Sequence, residues 1–267
     1  MKSAIIGGTG LGIGGFFEGY MEEMLQTPYG QAWVRRRPGG EVFFLARHGL
    51  GHVLAPHRVN YRANLWALKT LGVQRVIATN AVGAIDPALQ VGDLSVADQL
   101  IDFTRNRPST FFEDSGLVRH VDFTDPYCRE VRAALLRAAL EQGVPARDGV
   151  TYVAAEGPRY ETAAEVKAFR LLGGHVVGMT GAPEAALARE IGLCYGCICL
   201  VTNQAAGVAP GTLSHREVED AMARVVAHIR EVLERALHHL PPHPACDCAR
   251  TSQNYHDLLR ESEGRDA

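Results

Sequence analysis

The 267-residue sequence contains no apolar run near the roughly 18 residues that a membrane span requires. Its first apolar stretch lasts about four residues before glycine intervenes, too short for a secretory signal core. Charge bias is also missing. A net charge of -3 argues against a general nucleic-acid binder, while leaving room for a small anionic substrate held by local positive charge. These absences point to a soluble, cytoplasmic protein with no membrane or nucleic-acid partner and with six reduced cysteines. Cys194, Cys197 and Cys199 lie in "GLCYGCICLVTN", where a buried strand would use them as small hydrophobes. Near the end, His238, His239, His243, Cys246 and Cys248 are of metal-ligand type. However, C-x-C is not the usual zinc spacing and no second cysteine pair follows, so no metal is expected.

One further absence decides the most visible motif. In "SAIIGGTGLGIGG", residues 3–15, Gly10, Gly12 and Gly15 spell G-x-G-x-x-G after a short apolar run. A dinucleotide-binding turn needs an acidic residue about 20 positions later to hold the ribose. This chain has "WVRRRPGG" there, which is basic. An NAD-dependent enzyme is therefore the weaker reading. The alternative uses Gly7, Gly8 and Gly10 to expose backbone N–H groups, with the Thr9 hydroxyl beside them, as a nest for an oxyanion. A turn that merely packs closely fits the same residues.

What is present is an alternation of strand and helix patterns. Strands are expected at 3–6, 41–49, 73–85, 92–103, 149–158, 175–179 and 193–203. Helices are expected at 59–72, 127–143, 162–174, 182–192 and 214–240. This is an α/β fold, one domain around a twisted, mixed, mostly parallel sheet flanked by helices. The domain is placed at 1–240. Residues 241–267, rich in proline and charge, read as a polar, loosely docked tail.

Ligands of such sheets gather at the carboxyl ends of the strands. Four expected ends carry polar groups: Arg47-His48, Thr79-Asn80-Ala81, Met179-Thr180 and Thr202-Asn203. Arg47 offers a fork for phosphate. His48 and Thr180 add donors, and a turn at Asn80-Ala81 would add backbone N–H groups. A surface ion pair for Arg47 and a satisfied histidine for His48 are the plain alternatives.

The motifs "IIGGTG", "ARHG", "VNYRANLWALK", "TNAVGAI", "QLIDFTRNRPSTFF", "EGPRYET", "GMTGAPEAALARE" and "LVTNQAAG" together resemble the trimeric purine nucleoside phosphorylase family over about residues 2–237. The similarity is nearest to its methylthioadenosine and methylthioinosine phosphorylase branch. The resemblance implies a homotrimer that serves purine salvage with no metal or organic cofactor, taking a nucleoside and inorganic phosphate as co-substrates. It implies a phosphate site at Thr9, Arg47, His48, Asn80, Ala81 and Thr180, with Met179 under the ribose. It implies that Tyr160 stacks on the base and that His120 is lent to a neighbouring subunit's ribose pocket.

Glu161 and Asn203 stand where the resembling enzymes for 6-oxopurines place their base readers; the 6-aminopurine branch has Ser and Asp instead. The chemistry agrees. A neutral amide can donate to O6 and N7, whereas an ionised carboxylate would repel both. Hypoxanthine or guanine is therefore the expected leaving base. For the 5′ group the signals conflict. His215 in "LSHREVEDAM" is of the type that meets a 5′-hydroxyl, whereas "NYRANLWALK" and "GMTGAPEAALARE" resemble the methylthioinosine enzymes more. The expected activity is reversible phosphorolysis of inosine, guanosine or 5′-methylthioinosine, with Asn203, Glu161 and His48 catalytic. A methylthioadenosine phosphorylase and a non-catalytic purine-binding protein are the alternatives.

Overall fold

The computed structural model describes residues 1–8, 19–49, 51–209 and 215–265. Nine strands form one mixed sheet in the order β2-β3-β4-β1-β5-β8-β7-β6-β9. The last strand also pairs with β5, so five strands close into a ring. The ring consists of β5 (Arg75–Ala84), β8 (Val176–Gly178), β7 (Ala146–Ala154), β6 (Leu94–Asp102) and β9 (Cys194–Gln204). Closure removes the exposed edges of those strands. The pairs β5–β9, β6–β7 and β7–β8 are parallel; β5–β8 and β6–β9 are antiparallel.

From this ring the sheet continues as a wing through β1 (Ser3–Gly7), parallel to β5, and β4 (Val42–Ala46), parallel to β1 and antiparallel to β3. The outer hairpin is β2 (Met21–Thr27) and β3 (Gly30–Arg36). The segment joining β1 to its parallel neighbour β4 thus carries a hairpin. A dinucleotide fold would place a crossover helix there. Helices α1 (Tyr61–Thr70), α2 (Arg129–Glu141), α3 (Ala163–Leu171), α4 (Gly181–Glu190) and α5 (His215–His239) cover the sheet. Asn60 caps α1 by accepting from the Ala63 N–H at 3.0 Å.

The expected strands and helices all form, within a few residues of their expected bounds. Two features were not anticipated. One is the β2–β3 hairpin. The other is the end of the chain, where the expected loose tail instead folds into helix α6 (Ser252–Arg265). There Tyr255 and Leu258 join the core, and the Tyr255 hydroxyl lies 2.9 Å from Thr70 Oγ1. The Tyr255 ring packs on Trp66, with centroids 4.6 Å apart. Burying an aromatic ring and a leucine stabilises a segment that is otherwise polar.

Candidate active site

A cleft of about 380 Å³ opens where β4, β5, β8 and β9 converge. Arg47, His48, Asn80, Ala81, Tyr160, Glu161, Met179, Thr180 and Asn203 all line it. They come from five separate stretches of sequence. Thr9, with the glycines of the first loop, lies outside the described residues, and so does the side chain of His215. Gly8 does line the cleft. A Cβ there would meet Arg47 Nη1 at 2.8 Å and the Thr79 carbonyl at 2.9 Å, so a side chain would displace the arginine.

Arg47 follows β4 directly and is 1% exposed. Its fork does not hang free in the cleft. Nε and Nη2 each donate to Glu184 at 2.8 Å, and Nη1 donates to the Thr79 carbonyl at 2.9 Å. Tyr195 donates its hydroxyl to the same Glu184 at 2.8 Å. Burial works against the Arg47 charge, but Glu184 outweighs it and holds the pKa above its ordinary value. The ion pair suggested as the plain alternative therefore exists, but it is interior and forms the floor of the cleft. Glu184 stands on the first turn of α4 and was missed in the sequence. Its only sequence signal was an acid just after Met179-Thr180.

His48 is 7% exposed. Its Nδ1 lies 2.7 Å from the Leu54 carbonyl, which can only accept, so Nδ1 carries the hydrogen. Burial, then the nearby Arg47 charge, lower its pKa to about 4. The ring is neutral at pH 7, and Nε2 is left as an acceptor. This corrects the expectation of a donor. A second correction concerns Asn80-Ala81. No turn forms there, because β5 runs on to Ala84 to pair with β8 and β9. Asn80 instead fixes side chains: its Oδ1 accepts from Thr180 Oγ1 at 3.1 Å.

Thr180 leads into α4, whose first N–H groups meet the interior. The Tyr152 hydroxyl accepts from Thr180 N at 3.4 Å and Gly181 N at 3.3 Å. Gly178 and Gly181 allow this, since a Cβ at either would fall within 3 Å of the Tyr152 ring or hydroxyl. Met179 packs under Gly157, where a Cβ would meet its sulfur at 2.5 Å. Arg107, also missed in the sequence, is buried and donates to the carbonyls of Met179 and Glu156. It ties the 103–128 segment to the site wall.

Tyr160 and Glu161 are delivered by the turn that precedes α3. Thr162 caps that helix in a reciprocal box with Glu165, which fixes the chain where it enters. Glu161 is buried, and desolvation raises its pKa. Across the cleft, the β5–β9 register shifts between Val82 and Gly83, so that Val82 faces Val201 but Gly83 faces Asn203. Such a bulge re-aims side chains. Asn203 accepts from Thr202 Oγ1 at 3.0 Å and donates to the Gln204 carbonyl at 3.0 Å. His120 is exposed and does not line this cleft.

Residues 2–238 match the model of the phosphorylase superfamily. The chain belongs to that superfamily. Among phosphorylases, it is 48% identical to the 6-oxopurine nucleoside phosphorylase of Pyrococcus furiosus over 256 residues, covering 92% of this chain and 96% of that protein. It is 45% identical to the probable S-methyl-5′-thioinosine phosphorylase of Methanopyrus kandleri over 250 residues, covering 92% and 95%. The structure of a methylthioadenosine phosphorylase from an antarctic soil metagenomic library superposes with a TM-score of 0.85 at 35% identity, covering 94% of this chain and 90% of that one. The resemblance read from the sequence motifs is thus borne out, and so is the α/β phosphorylase fold.

Proposed function

We propose that this phosphorylase cleaves the N-glycosidic bond of 6-oxopurine nucleosides, with inorganic phosphate as the acceptor. The observation that carries this reading is the pairing of a buried Glu161 with a neutral Asn203 in the cleft floored by Arg47. The phosphate stands at the Arg47 end, between His48 and Thr180. Nε2 of His48 accepts from the P–OH of hydrogen phosphate. The base stacks on Tyr160, and Glu161 accepts its N1–H. Met179 packs against the ribose.

As the C1′–N9 bond breaks, its electrons go to the purine and the sugar gains oxocarbenium character. Hydrogen phosphate captures C1′ from the opposite face and gives the α-sugar-1-phosphate, which releases its proton to water, while the departing purine anion takes one proton up from water. Asn203 donates to N7 and O6 as they gain charge, the kind of preorganised stabilisation that lowers a barrier most. No step calls for a metal or organic cofactor. The freed base is available for purine salvage in the cytoplasm.

We also propose a homotrimer in which the exposed His120 completes a neighbour's ribose pocket. His215, which opens α5, would meet the 5′ group. Light scattering of the purified protein tests the first point, and the ratio of inosine to methylthioinosine turnover in His215→Ala tests the second.

The deciding experiment follows base release from inosine, guanosine, adenosine, methylthioinosine and methylthioadenosine, with and without phosphate. Phosphate-dependent release from the 6-oxopurine nucleosides alone is expected. Asn203→Ala should lower kcat/KM on them by about 100-fold or more, the usual loss for one oxyanion donor. Preferred cleavage of methylthioadenosine would overturn the base assignment. No release from any of them would favour a binding protein.

A further inference from the structure

Four cysteines from three distant parts of the chain meet at the other end of β9. Cys194 begins β9, Cys128 is the N-cap residue of α2, and Cys246 and Cys248 lie in the segment before α6. Their sulfur atoms all lie within 4.8 Å of one another. Cys246 Sγ is 3.7 Å from Cys128 Sγ and 3.4 Å from Cys194 Sγ.

We propose that Cys128, Cys194, Cys246 and Cys248 form a tetrahedral zinc site that locks the C-terminal segment onto the body of the enzyme. A tetrahedral Zn–S₄ centre has Zn–S bonds of about 2.3 Å, which puts its sulfurs about 3.8 Å apart. The observed spacing is of that order. Disulfides would need a single partner for each sulfur at about 2.05 Å. Here Cys246 stands close to two partners at once. Four thiolates with no oxygen ligand among them select a soft metal, and redox-inert zinc is the common occupant of such a set.

Cys128 stands at the N-terminus of α2, where the helix dipole favours a thiolate.

The segment itself needs an anchor. Residues 241–251, "PPHPACDCART", contain no large apolar side chain, and Cys248 is their one buried residue. Polar ties hold its two ends, from Arg75 to the Pro241 carbonyl and from the Ala245 N–H to Glu130 on one side and from Thr251 Oγ1 to the Arg189 carbonyl on the other, with Cys246 and Cys248 between them. Cys197 and Cys199, on the same strand, show the contrast. They are fully buried and touch each other at 3.7 Å, but no third or fourth cysteine joins them. All three strand cysteines are buried, as expected of small hydrophobes, and Cys194 alone gains the further role of a ligand in this proposal. The C-x-C motif looked unlike zinc because half of its ligand set lies more than 50 residues upstream.

The test is the metal content of the full-length protein, purified without chelator, together with its thiol count. Elemental analysis should give about one zinc per chain, released by a chelator along with about four titratable thiols. Chelation should lower Tm by several degrees. Cys248→Ser should reduce zinc at least tenfold, while Cys199→Ser should keep it. If Cys248→Ser fails to fold, cobalt replacement in the wild-type protein should give the intense absorption of tetrahedral cobalt–thiolate. Four free thiols with no metal, two disulfides in the alkylated non-reduced protein, or iron in place of zinc would each overturn the proposal.

Discussion

Arg47 and Arg75 are the two largest fully buried side chains among the described residues, and they serve opposite ends of the same sheet. Arg47 meets a buried glutamate, and Arg75 meets a partly exposed one. Arg47 holds Glu184 by two bonds where the strands end, and a cleft opens beside it. Arg75 begins β5, bonds Glu130 at 2.9 Å and the Pro241 carbonyl at 2.8 Å, and is covered by the C-terminal segment. A buried ion pair is weak evidence for stability, because desolvation offsets most of its attraction. What separates the two is the space next to them. One buried charge faces a cavity that an anion can enter. The other faces a strap of chain.

Breaking the site pair should have the largest effect. Glu184→Ala leaves Arg47 charged, buried and unpartnered, which costs about 3–5 kcal/mol and abolishes activity. The double change Arg47→Met with Glu184→Leu sharpens this. Apolar replacement of both partners should recover most of the stability, while phosphorolysis stays down by about 100-fold or more. Denaturant melts and single-turnover rates on the same samples measure both effects. Recovery of activity in the double variant would show that Arg47 has no role toward phosphate.

Arg75→Met should give the mirror image. Glu130 is partly exposed and can turn to water, so the loss should be smaller, about 2–3 kcal/mol. The kcat of the remaining folded enzyme should be unchanged. Hydrogen exchange should rise in residues 241–265 first, because the Pro241 contact is lost. A large fall in kcat would mean that the two ends of the sheet are coupled.

The sequence made one of these arginines visible and hid the other, for a physical reason. Arg47 is followed by His48 at the end of a strong apolar run, "EVFFLARHG", and strand ends are where sites form. Arg75 sits before "VIATN" like any surface residue at a strand entry, and only the returning chain buries it. The same logic covers other misses. Glu184 is paired with a residue 137 positions away. The β2 strand is exposed along most of its length, so "MEEMLQT" carries no alternating apolar signal. Ring closure through β5–β9 is non-local and leaves no mark on either strand. By contrast, Asn60 and Thr162 mark helix starts through local bonds, and those starts were legible.

His48 provides a test by pH. Its folded pKa of about 4 lies below the ordinary 6.5, so the unfolded chain takes up the proton first as pH falls. The stability tied to the neutral ring is complete above pH 6.5 and declines towards pH 4, by on the order of 3 kcal/mol there. His48→Gln should flatten that part of the stability–pH curve. Glu161 acts in the opposite sense, since its raised pKa lets the folded state bind a proton earlier. Its effect should instead appear in activity, with base release falling on the acid side at a pH above the ordinary glutamate value.

The smallest expected effect discriminates most finely. Thr162 does not itself line the cleft; it caps α3 and so fixes the turn that presents Tyr160 and Glu161. Thr162→Ala should cost about 1 kcal/mol of stability, the usual loss of an N-cap. A purely structural cap would leave kinetics alone. If the cap positions the base-reading pair, KM for inosine should rise several-fold while kcat holds, and Thr162→Ser should restore both. That split would separate the site end of the molecule from the strap end, where the same loss of stability should leave KM unmoved.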